Sequence, residues 1–266
     1  MEYRIKQEQL IVAASKQILK STCLFYRFKD NTTELPIPNG CGILIKQNEN
    51  YYIFSNAHVL ADEYLAKTFI MLGNGEIMTI GGQYFYNEAP SNGGRNKDPI
   101  DVTIVKLCKQ SIDGLTKCGY DFLDVSNILT NYSISKNDNI MVAGYPNDSI
   151  KINNQYKTLI AKPFIFKTKP SLNNLSKLGF HKDFHFVAKY SKNNLFDIGT
   201  GKKKVGTKPH GLSGSGFWLL KINSLGYYTP LLIGIFSTYL ENRALLVSTK
   251  VDIFIEVIKY KINCPN

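Results

Sequence analysis

The sequence predicts an all-β protein with a helix at each end. From Cys23 to about residue 250, short runs rich in aromatic and β-branched residues alternate with breaks of Asn, Gly, Pro and Asp, whereas both ends carry helical spacing. Composition supports a folded chain: 44% of the 266 residues are hydrophobic, with 16 Tyr and 15 Phe, enough apolar surface for a sizeable core and against disorder.

The elements follow in order. Over about residues 6–19, Leu10, Ile11, Ala14, Ile18 and Leu19 fall on one face of an amphipathic helix. Strand-like runs come next at 23–28, 40–45 and 51–55, the last two joined by Gln47-Asn48-Glu49-Asn50 as a hairpin loop. Similar breaks stand at Gly73-Asn74-Gly75, Gly81-Gly82 and Ser91-Asn92-Gly93-Gly94. Further runs occupy 101–107, 140–143, 159–166, 184–190, 217–222, 230–237 and 245–248. Many short strands with polar turns describe a sandwich or a barrel. The polar stretch 116–136 reads as a connection between two halves, and Val251, Ile253, Phe254, Val257 and Ile258 form the apolar face of a closing helix that starts near Asp252.

Several functional classes are set aside at this level. Residues 1–10 lack the basic, apolar and small-residue succession of a secretory signal, and no stretch is long and apolar enough for a membrane span, so the expected location is the cytoplasm. Cys23, Cys41, Cys108, Cys118 and Cys264 are scattered without a C-x-x-C pair, which reads as reduced, mostly buried thiols and gives no metal site. A net charge of +11 allows an acidic partner, but the lysines are spread along the chain rather than clustered, so nucleic acid is not the favoured ligand. His181 and His185 form H-x-x-x-H without the Glu of a zinc-protease helix.

Chemistry concentrates around His210-Gly211-Leu212-Ser213-Gly214-Ser215-Gly216. Glycines beside a serine let the backbone turn sharply and free amide N–H groups to point with the hydroxyl. A serine hydroxyl is a poor nucleophile until a neutral imidazole takes its proton and a carboxylate holds that imidazole, so partners are required. His58, at the end of an apolar run, and Asp101, opening another, are the candidates; Ser215 rivals Ser213, and Asp98 rivals Asp101. A hydrolase elbow of the G-x-S-x-G type is excluded, because Ser215 takes the last Gly position and a strand rather than a helix follows.

Asn56-Ala57-His58-Val59, Asp101-Val102-Thr103-Ile104-Val105 and Gly211-Leu212-Ser213-Gly214-Ser215-Gly216, in that order, resemble the histidine, aspartate and serine motifs of the chymotrypsin-like serine peptidases of bacterial and viral type. Cys41-Gly42-Ile43-Leu44-Ile45 and Leu232-Ile233-Gly234-Ile235-Phe236-Ser237 are similar to that family's flanking strands, and the resemblance spans about residues 20–262. It implies two six-stranded antiparallel barrels, over 20–115 and 137–250, and a carboxy-terminal helix at 251–262. It implies a serine endopeptidase with a His58, Asp101 and Ser213 triad, an oxyanion hole from the Gly211 and Ser213 N–H groups, no cofactor, and a protein or peptide substrate. Leu212 stands where secreted members carry an acid that pairs with a newly cut amino terminus, which implies activity without that cut.

By the same resemblance, Thr207, Ser237, Thr238 and Tyr239 contact substrate. Tyr239 then suggests a shallow pocket for a small P1 side chain, while the lysines of 201–209 either select an acidic residue or are merely solvated. The alternatives are an inactive binding protein of the same fold and a basic nucleic-acid-binding protein.

Overall fold

The computed structural model describes residues 2–28, 36–60, 68–72, 76–91, 98–153, 158–171 and 175–262. It consists of two antiparallel sheets with a helix at each end. The turns expected at Gly73-Asn74-Gly75 and at Asn92-Gly93-Gly94 lie outside the described residues, as does Cys264.

Helix α1, Glu2–Lys20, runs beyond the expected 6–19 and buries Ile11, Ala14 and Ile18, one stripe at spacings of three and four. The first sheet contains β1 (Thr22–Arg27), β2 (Ile37–Gln47), β3 (Asn50–Ser55), β4 (Thr68–Met71), β5 (Ile77–Thr79), β6 (Gly82–Tyr86), β7 (Thr103–Leu107) and β8 (Leu123–Asp124). Its order is β5-β4-β1-β2-β3-β7-β6, with β8 parallel to β2. Asn48, at φ +53°, makes the two-residue turn between β2 and β3. A one-turn helix, α2 (Ala57–Leu60), follows β3, and α3 (Lys109–Lys117) follows β7. The sequence reading has no helix at α3, which is nine residues long and buries only Ser111 and Leu115.

In the second half, β9 (Ile140–Gly144), β12 (Phe164–Thr168), β13 (His185–Lys189), β14 (Leu195–Phe196), β15 (Lys203–Lys204), β16 (Gly216–Ile222), β17 (Tyr228–Leu240) and β18 (Leu245–Lys250) form one sheet, ordered β13-β18-β17-β16-β9-β12-β14-β15. A separate hairpin pairs β10 (Ile150–Asn153) with β11 (Thr158–Ala161). The run expected at 159–166 is therefore two strands with different partners. Pro163 lies in the break, where its missing N–H suits an interruption of the ladder. Among the described residues each sheet holds eight strand segments rather than six, the two-residue pieces β8, β14 and β15 being too short for a periodic signal.

One apolar core joins both sheets and both end helices: Ile18 of α1, Ile43 and Phe54 of the first sheet, Met141 and Trp218 of the second, and Phe254 of α4 (Val251–Val257) all belong to it. Each sheet also encloses a core of its own. Both sheets are thereby fixed against each other, which lets residues far apart in sequence meet in one cleft.

Candidate active site

His58 is the only residue of α2 that is not buried: Ala57, Val59 and Leu60 anchor the turn in the core and leave the imidazole facing the cleft, about one third exposed. The turn is closed by Val59 and Leu60 N–H groups donating to Asn56 O at 3.1 and 3.2 Å. Asn56 Nδ2 donates to Asp101 O at 3.0 Å, so one buried amide ties together the segments carrying the histidine and the aspartate.

Asp101 meets His58 twice. Its Oδ2 lies 2.5 Å from His58 Nδ1, and its Oδ1 accepts the His58 backbone N–H at 3.0 Å. With Nδ1 protonated, Nε2 becomes the acceptor. Asp101 takes φ +41°, a left-handed conformation that Asp tolerates better than most residues, at 7% side-chain exposure. Asp98 lines the same cleft, but its carboxylate accepts from Ile100 N at 3.0 Å and Asn87 Nδ2 at 2.7 Å. The second sheet holds this segment from outside. His185 Nε2 bonds Pro99 O, and Thr249 Oγ1 donates to Ile100 O at 2.9 Å. His185 is thus a structural group, its pKa lowered chiefly by burial, and His181 pairs with Asp183.

The loop bearing Ser213 is bolted on both sides. Cys41 N donates to Ser213 O at 2.7 Å, Gly214 N to Phe236 O at 2.9 Å, and Phe236 N to Ser215 O at 2.7 Å. Gly214 has φ +86° and lies so close to β2 that a Cβ would stand 1.9 Å from Cys41 O. Leu212 is fully buried in the core of the second sheet. Ser215 is also buried, its hydroxyl donating to Leu212 O at 2.6 Å, whereas Ser213 lines the cleft.

His58, Asp101, Gly211, Ser213, Ser237 and Tyr239 share a cleft of about 520 Å³. Ser213 Oγ donates to Ser237 O at 3.3 Å, and no hydrogen bond between Ser213 and His58 is present among the described residues. Nor do the Gly211 and Ser213 N–H groups find an acceptor among them. Asn147 N donates to His210 O at 2.9 Å. Because the peptide is planar and trans, the Gly211 N–H points the opposite way from that carbonyl, away from Asn147. Gly211 itself has φ +88°.

The remaining predicted positions separate. Ser237, Thr238 and Tyr239 line the cleft, while Thr207 lies outside it, exposed, with its carbonyl taken by the Tyr190 hydroxyl. Lys208 is paired with Glu241, and His210 lies 3.9 Å from the same carboxylate. That hydrogen bond and charge pull the Glu241 pKa down and push the Lys208 pKa up. Asn147 and Glu241 were not singled out in the sequence, and Asn56 and His185 were named there without these roles. A larger cavity, about 780 Å³, lies between α1 and the second sheet near Lys167, Lys169 and Lys189, without the histidine, aspartate and serine set.

No family model and no curated protein matches the sequence. Solved structures do match the fold. Neuropsin, a serine protease expressed in the limbic system of mouse brain, superposes with TM-score 0.54 at 12% identity, covering 90% of this chain and 93% of its own. GrC superposes with TM-score 0.54 at 13% identity, covering 92% and 95%.

Proposed function

We propose that this chain, whose fold is that of the chymotrypsin-like serine proteases, is a serine endopeptidase acting through His58, Asp101 and Ser213. The observation that carries the reading is the convergence, in one cleft, of a doubly bonded His58 and Asp101 pair from the first sheet with Ser213 and two unpartnered N–H groups from the second.

The steps follow from the chemistry of these groups. Ser213 turns its hydroxyl from Ser237 O toward His58 Nε2, which removes the proton as Oγ attacks the carbonyl carbon of the peptide. Asp101 keeps the Nδ1 proton in place and favours the imidazolium that forms. The oxyanion receives hydrogen bonds from Gly211 and Ser213 N–H, each such donor being worth about 10²–10³ in kcat. His58 passes its proton to the departing amine, leaving an ester on Ser213. Water, deprotonated by His58, then attacks that ester, and His58 returns the proton to Ser213 Oγ as the C–O bond breaks and the carboxylic acid is released.

The test is labelling with a fluorophosphonate probe, which phosphonylates an activated serine. Native protein and Ser215→Ala should label and Ser213→Ala should not, with circular dichroism confirming that each variant is folded. No labelling of native protein would remove the catalytic reading in favour of a binding protein of the same fold.

A further inference from the structure

One face of the second sheet changes character along its strands. Residues paired across a ladder share a face, and so does every second residue along a strand. Ile165 of β12 pairs with Phe196 of β14, and Phe196 pairs with Lys203 of β15, while Lys167 stands two places on from Ile165. These side chains therefore share one side of the sheet, where Ile11 of α1 joins Ile165 and Phe196 in the common core. Beyond that apolar contact the same side is cationic. Lys167, Lys169, Lys189 and Lys203 line the cavity of about 780 Å³ between α1 and the sheet, and among the described residues Glu8 brings the only carboxylate to it.

Two of the four ammonium groups are held in place by neutral oxygens. Lys167 Nζ donates to Tyr228 OH at 3.0 Å and lies 5.0 Å from the centre of that ring, and Lys169 Nζ donates to Asn137 O at 2.6 Å. None of the four forms an ion pair among the described residues, whereas Lys20, Lys204, Lys208 and Lys259 each meet a carboxylate. Lys204 makes the contrast within one strand: next to Lys203 and so on the opposite side of β15, it pairs with Asp197 at 3.7 Å and does not line the cavity. Cations are thus gathered and positioned with their charge uncompensated, at a repulsive cost that a bound anion removes. Ile11, Phe196 and the half-buried ring of Tyr190 complete the lining with apolar surface.

Lysine ammonium groups hold phosphate as point charges, and aromatic side chains accept a flat ring by stacking. The volume falls within the roughly 300–1,000 Å³ of cavities that hold small ligands. We propose that this cavity binds a small phosphate polyanion carrying a flat ring, of the nucleoside triphosphate class, with its phosphates on the lysines and its ring against Tyr190 and Phe196. The site is separate from the His58 cleft, since no residue lines both, and the proposal does not rest on the peptidase reading.

The experiment is calorimetry on the full chain with ATP, tripolyphosphate and adenosine, together with lysine acetylation read by mass spectrometry. ATP should bind about tenfold more tightly than tripolyphosphate, the scale of one ring stacked on an aromatic side chain. With ATP present, Lys169, Lys189 and Lys203 should be acetylated several-fold more slowly, and Lys109 and Lys117 of α3 at an unchanged rate. The double variant Lys169→Gln, Lys189→Gln should weaken ATP binding about 100-fold, about tenfold for each charged hydrogen bond. Lys109→Gln with Lys117→Gln, which removes the same charge outside the cavity, should leave it nearly unchanged. Absence of ATP binding at about 1 mM, or binding without protection of the cavity lysines, overturns the proposal on native protein alone, whether or not a variant folds. Tripolyphosphate or adenosine binding as tightly as ATP overturns the ligand class. Equal weakening by both double variants, or tighter binding of a single-stranded oligonucleotide at equal phosphate concentration, overturns the proposal in favour of a diffuse cationic surface.

Discussion

Gly211→Ala should remove most activity while leaving the protein folded. At φ +88° an alanine costs about 1–2 kcal/mol in backbone strain alone. Its Cβ would stand 2.1 Å from Asn147 Oδ1 and 2.9 Å from Asn147 N. The exposed Asn147 amide can swing into solvent, but the backbone nitrogen cannot, and it is the donor that fixes the His210 carbonyl. Relieving the contact therefore rotates the 210–211 peptide, and a misplacement of about 1 Å in such a group costs on the order of 100-fold in rate. Loss of the whole donor would cost about 10²–10³ in kcat, roughly 2.7–4 kcal/mol. A second variant isolates the cause. Asn147 opens a short 3-10 turn behind Pro146, whose ψ of 149° already suits a following proline. Asn147→Pro deletes that N–H and sets a ring carbon in its place against the His210 carbonyl, so it too should rotate the 210–211 peptide and lower kcat on the order of 100-fold. The double variant should be no worse than Gly211→Ala, since both act on one peptide plane. The assay is kcat on a peptide ester alongside a thermal melt. Activity of Gly211→Ala within threefold of native, or a double variant that falls by the product of the two, refutes the assigned role of this amide.

Three other outcomes follow from the same geometry. His185 has a lowered pKa, mainly from burial, with the nearby His181 and Lys250 also disfavouring its charge. The unfolded chain therefore binds the proton first, and stability should fall as pH drops below about 6.5 toward the lower folded value. Native protein should lose more urea resistance between pH 7.5 and 5.5 than His185→Gln, and equal losses would dismiss the effect. Cys108 is exposed, and hydrogen bonding with Ser111 lowers its pKa, while burial pushes Cys41 up to about 12 and raises Cys23 as well. Iodoacetamide at neutral pH should modify Cys108 in the folded protein and reach Cys23 and Cys41 only in denaturant, as mass spectrometry would resolve. Gly214→Ala, with its Cβ 1.9 Å from Cys41 O at φ +86°, should cost about 3 kcal/mol or more and lower the melting temperature by about 6–12 °C; a melt within 2 °C of native would show that the loop is not bolted to β2.

What could be read from the sequence divides along physical lines. Aromatic and β-branched runs such as 51–55 and 217–222 marked strands because both their faces pack into cores, and the buried stripe of α1 marked a helix. Helix α3 has only nine residues with Ile112 and Leu115 facing the core, the two-residue strands carried no period to read, and Pro163 was the one local sign that 159–166 was two strands. The order of His58, Asp101 and Ser213 was legible, but the supports of the site were not. His185 reaches Pro99 across 86 positions and Ser15 reaches Met141 across 126, and no spacing rule connects such pairs.

Leu212 shows how one of these long-range supports replaces another. In the sequence it was only the absence of an acid; in the fold it lies fully buried in the core of the second sheet, and Gly144 makes room for it, since a Cβ there would come within 3.0 Å of Leu212 Cδ2 and of Ser215 Cβ. Apolar burial of this kind is worth about 1.5–3 kcal/mol for a leucine and needs no charged partner, so the order of the nucleophile loop is set when the second sheet packs. The hydrogen bonds from Cys41 N and to Phe236 O then fix its orientation relative to β2 and β17. Anchored in this way, the loop places Ser213 in a cleft whose histidine is placed by the other sheet. The two halves of the site therefore depend on one common core, and a cavity made there, for example by Trp218→Ala, should disturb the register between His58 and Ser213 before it unfolds either sheet.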